Sequence, residues 1–115
     1  MTPEQLRMYD RLCAADPTLR CEYCTTAYLK GLFGHGSSGG EYGKFAIAAI
    51  TDHLHTRLDE EHSRSKTVLY CEMDGGGWWA IRLPIKSGGP VVDVYKDKLT
   101  AYLTAHAVRL GVERE

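Results

Sequence analysis

Trp78-Trp79-Ala80-Ile81-Arg82-Leu83-Pro84-Ile85 places Trp79, Ile81, Leu83 and Ile85 on one face of an extended chain. A period of two is that of a strand half-buried against a core. Turn-forming runs bound it, Asp74-Gly75-Gly76-Gly77 before and Ser87-Gly88-Gly89-Pro90 after. Beyond those turns lie two more β-rich segments, Thr67 to Met73 and Val91 to Tyr95. The pattern predicts a three-stranded antiparallel meander.

Outward from the meander the period becomes helical. From Glu41 to about His62, Ile47, Ile50, Leu54 and Leu58 form one apolar stripe. Tyr42, Phe45, Ala49 and His53 form a second, while Asp52, His55, Asp59 and His62 fall on the polar side. Ser38 and Glu41 stand at capping-box spacing before this helix. On the other side, Lys96 to Leu110 puts Leu99, Leu103, His106 and Leu110 on one face, with Gly111 as the stop. A third helix opens the chain. Thr2 caps it, Pro3 suits its first turn, Gln5 sits at the capping-box position, and Asp16-Pro17 ends it. Thr18 to Cys24 is expected to be an extended lead-in and knuckle. Thr25 to Phe33 fits a short helix or a strand, and Gly34 to Gly40 reads as a flexible loop.

The chain has 115 residues and a formal charge of −1, from 14 basic and 15 acidic side chains. That balance argues against broad electrostatic binding to nucleic acid, which needs a concentrated positive face. The N-terminus is polar and lacks an apolar signal region, and no apolar run approaches a membrane span. A cytoplasmic location with reduced thiols is expected. Cys13 and Cys71 read as buried structural thiols.

Cys21-Glu22-Tyr23-Cys24 is the one tight cysteine pair. Two thiols separated by two residues can hold one metal ion from a single turn. Asp52-His53-Leu54-His55 and His62 follow downstream, and cysteines with clustered histidines are what a tetrahedral zinc site needs. The run Cys21 to His62 resembles zinc fingers with two cysteine and two histidine ligands, in which an aromatic and an aliphatic residue precede the first histidine. Phe45, Ile50 and His53 stand in that order. The resemblance implies a structural Zn²⁺ held by Cys21, Cys24, His53 and His55, with His35 and His62 in reserve. His53 and His55 are about 200° apart on a helix, so joint ligation requires the helix to unwind there. The expected fold is therefore α+β, one zinc-stabilised domain over residues 1–115. Its order is an N-terminal helix, a zinc knuckle, a long helix, a three-stranded meander and a C-terminal helix.

Two further resemblances carry alternatives. Asp52-His53-Leu54-His55 after a Cys-x-x-Cys resembles the Asp-His-x-His element of HNH-type endonucleases, which implies a metal-dependent nuclease using Asp52, His53 and His55. The second cysteine pair of those enzymes is represented here by Cys71 alone. The helix–meander–helix order from Glu41 to Leu110 is similar to double-stranded RNA-binding domains. Their lysine-rich start to the last helix is reduced here to Lys96 and Lys98. Trp78 and Arg82 lie four apart on one strand and point the same way, with Ala80 between. Both are residue types favoured as interface anchors. The expected function is a small binding or regulatory protein with a structural zinc, engaging a protein partner rather than nucleic acid.

Overall fold

Thr2 begins the first helix by a reciprocal cap: its hydroxyl accepts from Gln5 N at 3.1 Å, and Gln5 Oε1 accepts from Thr2 N at 2.9 Å. The computed structural model describes residues 2–20, 41–83 and 89–113, with the backbone alone over 41–46. Helix α1 spans Pro3–Ala15 and is followed by a 3₁₀ turn, Pro17–Leu19. Helix α2 spans Glu41–Arg64, strands β1, β2 and β3 span Tyr70–Met73, Trp79–Arg82 and Val91–Tyr95, and helix α3 spans Lys98–Leu110. Three helices and a three-stranded antiparallel sheet make the fold α+β, in the expected order. The knuckle at Cys21 and Cys24, the ambiguous Thr25 to Phe33 and the glycine loop lie outside the described residues.

β3 matches the sequence pattern, while β1 and β2 are shorter than it predicts. β1 starts at Tyr70 rather than Thr67, and β2 starts at Trp79 rather than Trp78 and ends at Arg82, before Leu83, with Pro84 and Ile85 outside the described residues. A break in register between Ile81 and Arg82 sets Val91 opposite Arg82. Such a bulge disrupts the alternation, and Leu83, expected to face the core, is exposed. The β1–β2 turn is held by Asp74. Its carboxylate accepts from Gly76 N at 2.8 Å and Trp78 N at 3.0 Å. Gly77 takes φ +84°, a left-handed backbone that side-chain-bearing residues adopt at a cost.

Helix α3 lies at the centre, packed against α1, α2 and all three strands. Asp97 caps its start and Gly111, at φ +68°, ends it. Sequence periodicity marks one buried stripe, but Ala101 through Ala107 are all buried. The reason is composition. Alanines at 101, 105 and 107 let neighbouring elements approach on several sides at once. The stripe of α2 is as expected, with Ile50, Leu54 and Leu58 fully buried and Ile47 packed at the margin. Tyr9, Leu12 and Leu19 complete this core from the N-terminal side. The inner face of the sheet, through Trp79 and Ile81, meets the same core.

Candidate functional site

The outer face of the sheet leaves large apolar side chains open to water. Trp78, Val92 and Val94 are 42%, 55% and 40% exposed. Among the described residues, every exposed large apolar side chain except Val108 lies in a strand or beside one. They do not share one face: Met73 pairs with Trp79 of the inner face, whereas Val94 pairs with Ala80 of the outer face. Trp78 stands on a fixed base, because Asp74 binds its backbone at both ends: Trp78 N donates to the carboxylate and Asp74 N donates to Trp78 O at 2.8 Å. Lys96 Nζ lies 5.8 Å from the centroid of the Trp78 ring. Arg82 shares this face but is tied internally. It pairs with Glu72 at 2.5 Å and donates to Gly89 O at 2.9 Å, with its side chain 26% exposed. Ala80, 2% exposed, forms the floor between Trp78 and Arg82.

The histidines expected to bind metal separate onto different neighbours. Helix α2 is continuous through 53–55, so the imidazoles of His53 and His55 diverge. His53 Nε2–H donates to Thr18 O at 2.7 Å, which leaves the lone pair on Nδ1. That contact brings His53 beside the turn leading to Cys21. His55 goes elsewhere: it stacks on Tyr102 at 4.7 Å and pairs with Asp59 at 3.1 Å. His62 donates from Nδ1 to Val68 O at 2.9 Å and packs on Tyr70. The side of α2 read as polar is thus partly covered by aromatic rings. Asp52 is exposed and 3.9 Å from Lys98 Nζ. Among the described residues no group of three or more histidine, cysteine or carboxylate side chains could hold a metal ion. Cys21, Cys24 and His35 lie outside those residues.

The two remaining thiols are poorly suited to chemistry. Burial pushes the Cys71 thiol up to about 12, with the Asp59 carboxylate adding to it. Burial also raises the Cys13 thiol, against hydrogen bonds from Arg20 and Tyr9. Both stay protonated near neutrality, so neither is a ready nucleophile.

Sequence reading missed a buried polar cluster where the three helices meet. His106, fully buried, donates from Nε2 to Leu54 O at 2.8 Å and accepts from Arg109 Nε at 2.9 Å. Arg109 donates onward to Asp16 at 2.6 Å. His106 was legible as a residue of the buried stripe, but its partners come from α1, α2 and α3. Arg109 is one turn on in the same helix, but no spacing within α3 announces Leu54 or Asp16. No helix among the described residues is long and apolar enough to cross a membrane. Comparison with protein families, curated proteins and solved structures gave no match, so the site is read from this chain's own residues.

Proposed function

We propose that this chain is a small protein-binding module whose docking surface is the outer face of the sheet. Trp78 is the anchor, Val92 and Val94 extend the contact, and Arg82 braces the floor. The observation that carries this reading is an exposed tryptophan on a backbone pinned by Asp74. A pre-positioned aromatic loses little freedom on binding. The partner presents an apolar side chain to Trp78 and a carboxylate towards Lys96. Nucleic acid fits less well. Asp97 already caps α3, accepting from Thr100 N at 3.2 Å, and so places a negative group where a helix start would receive a phosphate.

The reading includes a structural Zn²⁺ held by Cys21 and Cys24, with His53 as the supporting histidine. Its Nε2–H···O=C bond to Thr18 is the kind of contact that orients a ligating imidazole. His55, stacked on Tyr102 and paired with Asp59, points away from His53 and stands outside that set.

The partner test begins with capture by the tagged wild-type chain from nuclease-treated lysate, followed by purification of the captured protein and titration. Trp78→Ala should weaken that binding by roughly tenfold or more while the melting temperature stays nearly unchanged. Equal binding by Trp78→Ala, or binding that needs nucleic acid, would remove the sheet face from consideration. For the metal, mass spectrometry of the purified chain should find one zinc, and Cys21→Ser should lose it and melt lower. A metal-free wild type that melts unchanged with chelator ends the zinc reading. Cleavage of DNA or RNA in magnesium or manganese that disappears in His53→Ala and His55→Ala would favour a nuclease instead.

A further inference from the structure

His106 sits where α1, α2 and α3 meet, and both of its nitrogens are engaged. Nε2–H donates to Leu54 O on α2, and Nδ1 accepts from Arg109 Nε on α3. The other arm of Arg109 donates to Asp16, between α1 and the 3₁₀ turn; these side chains are 10% and 14% exposed. Arg57 of α2 lies 3.8 Å from the same carboxylate and donates to Thr18 Oγ1 at 3.0 Å. One carboxylate at the end of α1 is therefore clamped by guanidinium groups from both other helices. One of those guanidiniums is aimed by the lone pair of His106.

That lone pair is the vulnerable point. A proton on Nδ1 would meet the Arg109 N–H donor to donor. The charged groups facing the imidazole are Arg109 from α3, Arg57 from α2 and Asp16 from the junction of α1 with the 3₁₀ turn, two cations and one anion. They leave no favourable place for a third cation. While α1 is docked, Asp16 holds Arg109 against the ring. Once α1 lifts, Arg109 can swing into water and the ring can take the proton.

We propose that α1 and its 3₁₀ turn form an acid-released latch on the unit built from α2, the sheet and α3, held shut by the neutral state of His106. Burial and the arginines depress the docked imidazole to about 4, against the hydrogen bond to Leu54 O and the Asp16 charge. In the released state it returns to its ordinary range near 6.5. Proton binding and α1 release are thus linked, and acid drives both.

Hydrogen exchange at pH 7 and pH 4.5, corrected for intrinsic rates, reads the latch directly. Amides of α1 should lose protection on the order of fiftyfold, while β2 holds its protection. In His106→Gln, which does not titrate, the α1 change should vanish. Should that variant fail to fold, imidazole NMR of the wild type decides, with His106 expected to titrate near 4 and to carry its proton on Nε2 above that. Titration near 6.5 in the folded chain, unchanged α1 protection at pH 4.5, or simultaneous loss from α1 and β2 would overturn the latch.

Discussion

Trp78 and Trp79 are neighbours in sequence with opposite environments, and the contrast extends to the two faces of the sheet. Trp79 points inward, its ring 5.8 Å from Tyr102 and 6.5 Å from His55. Ile81, on the same face, is 1% exposed. Trp78 points outward with Val92 and Val94, and its ring meets Lys96. Both faces carry large apolar side chains, so hydrophobicity does not distinguish them. What distinguishes them is which face the helices cover: α3 packs against every strand, and does so from the inside.

The largest test of this contrast is Ile81→Ala. A fully buried aliphatic side chain cut to alanine loses transfer free energy and leaves a cavity, together about 2–5 kcal/mol. Urea denaturation of the variant should show that loss. A cost below about 1 kcal/mol would mean that the inner face is not the core side, and the two faces would have to be exchanged.

Acid should act on the inner side next most strongly. His106 has its folded value lowered to about 4 by burial. The unfolded chain therefore binds the proton more readily, and stability falls as pH drops. The contribution is complete above about 6.5 and disappears between 6.5 and 4, on the order of 3 kcal/mol in all. Asp16 follows lower down. Burial would raise it, but hydrogen bonds from Thr18 and Arg109 win and hold it at about 2. Its contribution is present above its ordinary value of 3.8 and lost as pH falls towards 2. Urea midpoints from pH 7 to pH 3 should decline along this course in wild type, and stay flat between 6.5 and 4 in His106→Gln. A flat wild-type profile there would show that His106 is not held neutral.

Smaller still is the effect of Trp78→Ala on stability. Its ring leaves water only in part, so removal should cost under about 1 kcal/mol, against the 3–5 kcal/mol of a core tryptophan. A loss in the core range would place Trp78 under a covering element and close the outer face.

The sequence carried the fold further than the site because the two rest on different signals. Period two in Trp79 to Ile81 and the stripe of Ile50, Leu54 and Leu58 are local patterns imposed by the core, and both were legible. The bulge at Arg82 broke the alternation and exposed Leu83, a consequence of pairing with β3 that β2 alone does not reveal. For α3, alanines read as neutral filler, whereas their small size is what allows burial on several sides. His55 looked solvated because its stacking partner, Tyr102, comes from 47 residues away on another helix. Asp16 read as a helix stop, which it is. Its second task, joining Arg109 and Arg57, depends on long-range geometry.

The smallest expected effect probes a polar flaw on the inner side. The Tyr102 hydroxyl is buried and finds no hydrogen-bond partner among the described residues. Burial, with Cys71 and Asp59 nearby, pushes its ionisation far above the ordinary tyrosine value. The hydroxyl is therefore neutral, yet its donor and acceptor have been taken from water without replacement. Such a group costs stability, and removing it restores what was lost on burial. The ring is a separate matter: its contacts with His55 and Trp79 use the aromatic faces and edges, which phenylalanine keeps. Tyr102→Phe should therefore leave stability unchanged within about 0.5 kcal/mol, or raise it slightly. The measurement is paired urea melts at pH 7. A loss above about 1 kcal/mol would reveal that the hydroxyl has a partner, and the layer between α3 and the sheet would then hold a polar link rather than a dry contact.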